Sequence, residues 1–302
     1  MSRLEAGTLL EVRDLRVGFE SGHSRTVPAL RGIDLGIRSG QIVGLVGRSG
    51  SGKSVMALSI LGLLPPRAKV LGGQVLLRGV DLLRMPERRL QMHRGSHLSL
   101  VPQDPMTALN PGLTIGAQML AAIRSHQRLN RSDAKIAAAR LLDSVHLPDP
   151  DSALRRFPHE LSGGQRQRVV IALSLVGEPQ LLIADEATTA LDVTHQARIL
   201  NLFREQNQER DLTVLVITHD LGVVAQTCSY VYVIESGRIH EHGPVRDVLG
   251  RPQHPSTVAL LNSFPDPRRR GRPLGRVAPA TSDWSHPTGA SSPQAPPERE
   301  LG

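Results

Sequence analysis

The sequence predicts an α/β fold, in which a parallel β-sheet is interrupted by a helical insertion. Short apolar strands alternate with helical segments early and late in the chain, as they do in sheets whose parallel strands are joined by crossover helices. Between about residues 104 and 165 this alternation stops and an amphipathic helical pattern replaces it. These two observations fix the class before any motif is considered.

Six strands are predicted, three near the start and three late in the chain. They cover residues 9–17, 30–37, 41–46, 181–184, 213–217 and 230–234. The third strand is apolar throughout and runs into a glycine-rich turn, as a buried central strand should. Its turn leads into a predicted helix over residues 54–64, which Pro65 and Pro66 are expected to end.

The insertion contains the clearest amphipathic helix of the chain. Residues 132–145 read Ser-Asp-Ala-Lys-Ile-Ala-Ala-Ala-Arg-Leu-Leu-Asp-Ser-Val. Ser132 is the predicted N-cap, because a serine hydroxyl can accept from a free amide of the first turn. This helix is the best-defined part of the helical subdomain that we expect at about residues 104–165.

Composition excludes several classes of protein. The 302 residues suffice for a substantial core, but no apolar run approaches the roughly 20 residues that span a bilayer. The first residues lack the basic and apolar segments of a secretory signal. Cys228 is the only cysteine, which excludes an internal disulfide and an all-cysteine metal site. A cytosolic chain fits best.

The net charge of +8 raises the possibility of a polyanionic partner. Part of the excess lies in one run, residues 268–272, and aromatic residues make up only 2% of the chain, which disfavours base stacking. Residues 265–302 hold eight prolines in 38 positions and are expected to be a disordered tail. The basic run is either a solvated part of that tail or a contact for anionic lipid head groups.

A phosphate-binding loop follows the third predicted strand. Its residues are Gly47, Arg48, Ser49, Gly50, Ser51, Gly52, Lys53 and Ser54, which match the pattern GxxxxGK[ST] in the required position between a strand and a helix. The glycines allow successive backbone amides to surround phosphate oxygens. We expect Lys53 to reach the β- and γ-phosphates and the Ser54 hydroxyl to bind Mg²⁺.

Two adjacent acids end the strand predicted at residues 181–184. Asp185 and Glu186 follow four apolar residues, and carboxylates at the end of a buried strand are costly without a cation. Asp185 is therefore a candidate Mg²⁺ ligand, and Glu186 is the candidate general base for an attacking water.

A third motif narrows the class of nucleotide-binding protein to which the chain can belong. Residues 161–165 read Leu-Ser-Gly-Gly-Gln, and here the chain resembles the ABC (ATP-binding cassette) ATPases, whose signature is matched without substitution. Ser162, Gly163, Gly164 and Gln165 open a helix whose amides and dipole favour an anion. In the family that anion is the γ-phosphate of a nucleotide held by the facing subunit.

The resemblance implies further site residues. Gln103 looks like the glutamine that senses Mg²⁺ and couples to a membrane partner. Asp192, in Ala190-Leu191-Asp192, resembles the D-loop, and His219 resembles the switch histidine at the γ-phosphate. Phe19 is the candidate for stacking on adenine, although a phenylalanine at a strand end is often a core residue.

The resemblance covers residues 8–264 and implies a P-loop NTPase core with a mostly parallel sheet, an N-terminal antiparallel β subdomain and an α-helical insertion. Residues 51–65, 103–111, 188–194 and 254–262 look like those of dipeptide, oligopeptide and nickel importers. The implied cofactors are ATP and Mg²⁺. The implied partners are a second, non-identical ATP-binding subunit, two integral-membrane permeases and an extracytoplasmic substrate-binding protein, with this chain at the cytoplasmic face of the inner membrane.

Two other functions remain open from the residues. One is a soluble ABC ATPase that acts on nucleic acid or ribosomes, although we expect no nucleic-acid partner. The other couples the same ATPase to export or to phosphonate metabolism. The chain also departs from the importer group: Arg48 stands where glutamate is usual, Ala187 stands where proline is usual, and no cysteine follows Cys228.

Overall fold

The computed structural model describes residues 7–21, 25–188 and 192–263. The proposed tail at residues 265–302, its basic run, and Ala190 and Leu191 of the D-loop lie outside these residues. The strands are β1 (Thr8–Ser21), β2 (Arg25–Arg38), β3 (Ile42–Val46), β4 (Ala68–Leu77), β5 (Val80–Asp81), β6 (Leu98–Val101), β7 (Leu181–Asp185), β8 (Thr213–Thr218), β9 (Tyr230–Glu235) and β10 (Arg238–Pro244).

Eleven α-helices occur in the described part of the chain. They are α1 (Lys53–Leu61), α2 (Glu87–His93), α3 (Pro105–Ala108), α4 (Ile115–His126), α5 (Arg131–Ser144), α6 (Pro150–Ala153), α7 (Gly163–Leu175), α8 (Val193–Arg210), α9 (Leu221–Thr227), α10 (Val245–Gly250) and α11 (Pro255–Asn262). None of these helices is long and apolar enough to cross a bilayer.

The central sheet has the strand order β10-β9-β3-β8-β7-β6. Strands β9, β3, β8, β7 and β6 run parallel, and β10 pairs antiparallel with β9. Every residue of β3 and of β8 is buried, which explains their unbroken apolar runs. The parallel α/β class predicted from the sequence is confirmed.

A second sheet carries the first strands of the chain. Its order is β2-β1-β4-β5, with antiparallel pairing throughout. Leu10, Val12 and Leu15 of β1 are buried and join a core that also contains Met56 and Ile60 of α1. The antiparallel N-terminal sheet therefore packs against the helix that follows the phosphate loop.

Helices α3 to α6 lie between β6 and β7, and α7 leads back into the central sheet. Ile115, Met119 and Ile123 of α4 are fully buried together with Ala134 and Ala138 of α5. The same cluster continues into the apolar face of α7. The helical segment is thus packed on the core through the helix that begins with the signature.

Two predicted helix boundaries are wrong. Helix α5 begins at Arg131, and its N-cap is Asn130, whose side-chain oxygen accepts from the amide of Asp133 over 2.9 Å; Ser132 lies inside the first turn. Helix α1 ends at Leu61, before the two prolines. Gly62 ends it by adopting a left-handed conformation, with φ of 62° and bonds from its amide to the carbonyls of the last turn.

Candidate functional site

The phosphate loop joins the carboxyl end of β3 to the amino end of α1 and is shaped by glycines. Gly52 has φ of 105°, which favours a residue without Cβ. A Cβ on Gly47 would lie 2.1 Å from the carbonyl oxygen of Ile234. The loop therefore packs directly on the backbone of β9, and its predicted position between a strand and a helix agrees with the structure.

Lys53 lies under this loop rather than in solvent. Its side chain is 5% exposed, and its Nζ donates to the carbonyls of Gly47 and Arg48 at 2.9 and 3.1 Å. Burial lowers the pKa of Lys53, while the carboxylates of Glu186 and Asp185 oppose that shift. A partly desolvated ammonium group in a loop of amides is suited to receive a polyphosphate.

Asp185 and Glu186 end β7 beside Lys53. Glu186 lies 3.7 Å from the Lys53 Nζ through its Oε1. Its backbone has φ of 47°, and its amide donates to Ile217 of β8. A non-glycine residue in the left-handed region is strained, so the bond to the neighbouring strand helps to hold the carboxylate in position.

Two residues predicted from the resemblance contact the carboxylate of Glu186. Gln103 Nε2 donates to Glu186 Oε2 over 3.0 Å, and His219 Nδ1 lies 3.5 Å from Glu186 Oε1. The Glu186 side chain is only 13% exposed. The structure thus brings together Lys53, Glu186, Gln103 and His219, which are up to 166 positions apart in the sequence (219 − 53).

The residues expected to hold Mg²⁺ fit that ion. Burial raises the pKa of Asp185, a hydrogen bond from the Ser54 side chain lowers it, and Glu186 raises it. The Asp185 Oδ1 atom is buried with no hydrogen-bond partner, so one carboxylate oxygen is left for a cation. Among the described residues, no group of three or more His, Cys, Asp or Glu side chains could hold a metal ion. A site of this kind suits Mg²⁺ at a nucleotide, which typically uses one or two carboxylates, phosphates and water.

The signature begins α7 with a reciprocal cap. The Gln165 amide donates to the Ser162 hydroxyl at 3.3 Å, and the Ser162 amide donates to the Gln165 side chain at 2.9 Å. This leaves the amides of Gly163 and Gly164 at the open end of the helix, where backbone donors lack intrahelical acceptors. The end of α7 can therefore bind an anion.

Asp192 and Phe19 differ in what surrounds them. Asp192 is the N-cap of α8, and its carboxylate accepts from the amide of His195 at 2.9 Å. Phe19 is half-buried on β1, opposite Val27 and Ala68 of the adjacent strands, so its ring lies on the antiparallel sheet. Its stacking on adenine stays a prediction.

Two residues were missed by the sequence analysis. His195 lies between Asp192 and Gly164 of the signature, and only its helical spacing of three residues from Asp192 could have suggested the contact. Arg168 is 8% exposed and donates through Nη1 to the carbonyls of Val145 and His146, which directly follow α5. Burial lowers the pKa of Arg168, and no sequence signal distinguishes this arginine from Arg166.

A phosphate loop after β3, paired acids at the end of β7 in the same parallel sheet and a signature that opens α7 define a P-loop nucleotide-binding cassette. The family model described as ABC transporter matches residues 30–189. The chain belongs to the ABC transporter family.

Relatives and solved structures agree with this assignment. A probable peptide ABC transporter ATP-binding protein of Sinorhizobium fredii is 48% identical over 90% of this chain and 81% of its own length. A dipeptide transport ATP-binding protein of Bacillus subtilis is 46% identical, with 85% and 77% covered. A dimeric ATP-binding cassette, MJ0796, in a post-hydrolysis state with ADP and Pi bound, matches with a TM-score of 0.71 and 27% identity over 79% of this chain and 99% of that one.

Proposed function

We propose that this chain is the ATP-binding and ATP-hydrolysing subunit of a peptide importer. The observation that best supports ATP hydrolysis is the position of Glu186, whose carboxylate lies beside Lys53 and accepts a hydrogen bond from Gln103. Relatives whose names specify peptide, dipeptide or oligopeptide transport support the import of peptides. Their identities of 44 to 48% extend over most of both chains.

In the proposed mechanism, the amides of residues 47–54 surround the phosphates and Lys53 contacts the β- and γ-phosphates. Ser54, Asp185 and Gln103 would hold Mg²⁺, which would supply positive charge to the phosphate oxygens. Glu186 accepts a proton from the water that attacks the γ-phosphate, and His219 contacts that phosphate. The half-buried Glu186 needs its fixed orientation because a misplaced base lowers the rate steeply.

The proposed working unit is a pair of nucleotide-binding subunits. The Ser162-Gly163-Gly164 end of one α7 covers the nucleotide of the other subunit, together with Gln165 and Asp192. We propose a second, non-identical ATP-binding subunit, two integral-membrane permeases and an extracytoplasmic binding protein as partners, at the cytoplasmic face of the membrane. The helical segment after Gln103 lies next to the site and is the proposed route by which hydrolysis moves the permeases.

Replacement of the base tests the assignment. The complex captured from membranes through this chain is purified with Glu186→Gln or with Glu209→Gln, a control on the exposed end of α8. We expect Glu186→Gln to bind ATP and to lower the hydrolysis rate by at least about 100-fold, since general-base catalysis contributes that much. Hydrolysis by Glu186→Gln at the parental rate would refute the assignment of the base.

The nucleic-acid alternative makes a different prediction. A soluble ATPase acting on DNA or RNA would bind a random duplex with an affinity that falls steeply with salt concentration. We expect no such binding by the full chain, because its scarce aromatic residues and its transport relatives both favour import. Salt-sensitive duplex binding by the full chain would support the alternative.

A further inference from the structure

His195 lies against the signature helix without belonging to any motif. It occupies the first turn of α8, and its imidazole ring packs on Gly164. A Cβ built on Gly164 would lie 2.5 Å from Cδ2 and 3.1 Å from Nε2 of His195. The edge of the ring that carries Nε2 therefore borders the open end of α7, and a side chain at position 164 would have to displace the ring.

The other ring nitrogen is held by Asp192. Its Oδ2 lies 2.6 Å from His195 Nδ1, while Oδ1 accepts from the His195 amide. These two hydrogen bonds from His195 lower the pKa of Asp192, so the carboxylate is ionised and acts only as an acceptor. Nδ1 must carry the hydrogen in this bond, and in the described part of the chain no hydrogen bond occupies Nε2, the ring atom that could contact a ligand.

Three groups thus converge on one end of α7: the amides of Gly163 and Gly164 and the Nε2 of His195. Among the described residues, a Cβ on Gly163 would meet nothing within 4 Å, so this part of the chain leaves space in front of these groups. The His195 side chain is 39% exposed, which leaves its ring accessible from that space. An aspartate bonded to the far nitrogen of a histidine fixes the orientation of the ring, as in catalytic triads.

We propose that His195 is a further phosphate-binding residue of the signature, whose Nε2 forms a hydrogen bond with the terminal phosphate of the nucleotide bound there. The inference rests on the proposed function, since it uses the nucleotide that the signature covers. Asp192 is then a positioning residue for this contact: it caps α8 and orients the ring.

Steady-state hydrolysis by the captured complex tests the contact. His195→Val removes the imidazole and its Nε2, whereas His195→Gln keeps a polar side chain with an N–H group. His242→Val, on β10, is the control. We expect His195→Val to raise both the KM for ATP and the inhibition constant of inorganic phosphate by about tenfold, because one hydrogen bond to a charged phosphate is lost. His195→Gln should recover most of this loss, which a purely structural role of the ring would not predict. Unchanged constants in His195→Val would overturn the proposal.

A second measurement separates this inference from the proposed function. This chain is labelled with ¹⁵N-histidine within the captured complex, the complex is saturated with ADP and Mg²⁺, and inorganic phosphate is then added. The His195 signal is assigned by its loss in His195→Gln. We expect its Nε2 resonance to move with phosphate, and an unmoved resonance would overturn the contact even if the complex hydrolyses ATP. If the complex does not hydrolyse ATP but the resonance moves, the proposed function fails and the phosphate contact stands.

Discussion

The side-chain amide of Gln103 donates to Oε2 of Glu186 across 3.0 Å and so joins the segment after β6 to the end of β7. The two residues are 83 positions apart. Because the helical insertion begins directly after Gln103, any movement of that segment changes how the proposed base is held. This bond is the most direct link between the insertion and the site.

Removal of this bond should slow hydrolysis. We expect Gln103→Ala to lower kcat by about tenfold, since one hydrogen bond to a charged group is lost. Gln91→Ala, on the exposed face of α2, is the matched control, because Gln91 bonds only a neighbouring Glu87 on its own helix in the described contacts. The measurement is ATP hydrolysis by the captured complex, and a kcat equal to that of the control would contradict a role for Gln103.

Asp185 should destabilise the ligand-free chain. Burial raises its pKa in the folded state, so its ionised form costs stability above that pKa, and the cost disappears as pH falls through it. Asp185→Asn should therefore raise the free energy of unfolding at pH 7 by about 1 kcal/mol. This change corresponds to a melting temperature that is a few degrees higher. The same variant should lose the additional stabilisation that Mg²⁺ gives to the ATP-bound chain.

Asp143→Asn is the control for this experiment, because Asp143 is exposed at the end of α5. Thermal melts of both variants are compared with EDTA and with Mg²⁺-ATP. A ligand-free Asp185→Asn chain that melts below the parent would show that the carboxylate is stabilised in the fold. That result would remove the physical argument for a cation at this position.

The signature glycines should differ in their tolerance of a side chain. Gly164→Ala places a Cβ 2.5 Å from the ring of His195, whereas the Cβ of Gly163→Ala has no described atom within 4 Å. We expect Gly164→Ala to lower the free energy of unfolding by about 1–2 kcal/mol through overpacking. Gly163→Ala should be neutral or slightly stabilising, because alanine favours the helix. Equal denaturation midpoints for the two variants would contradict the packing of His195 on Gly164.

The N-cap of α7 makes a separate contribution. Ser162 accepts from the Gln165 amide, and Gln165 accepts from the Ser162 amide. Ser162→Ala should lower the free energy of unfolding by about 1 kcal/mol, the usual cost of losing a cap. Ser162→Asp keeps an acceptor and should retain most of the stability, although its charge should weaken ATP hydrolysis by the complex. Chemical denaturation and the hydrolysis rate together separate these two effects.

Local patterns in the sequence predicted much of this fold. The apolar runs of β3 and β8 correspond to strands that are buried along their whole length. The same reasoning failed at helix ends, because Asn130 and Ser132 are both good caps and only packing decides between them. It also failed at Gly62, whose left-handed conformation ends α1 before the prolines. Caps of similar strength cannot be ranked from spacing alone.

Site residues that belong to a sequence motif could be predicted. Site residues that are placed only by the packing of helices could not. Lys53, Asp185 and Glu186 are adjacent in the fold because parallel strands end at one edge of the sheet. The contact between His195 and Gly164 joins residues 31 positions apart (195 − 164) on two helices. No periodicity reports such a contact, since it depends on how α7 and α8 pack.

The most direct test of the account is to capture the tagged full chain from membranes and to identify what is bound to it by mass spectrometry. We expect two integral-membrane permeases and a second, different ATP-binding subunit in amounts similar to this chain. Genes encoded beside those permeases should then include a peptide-binding protein. Capture of ribosomal or DNA-bound proteins without any membrane protein would contradict the transport function and leave only the nucleotide chemistry of the site.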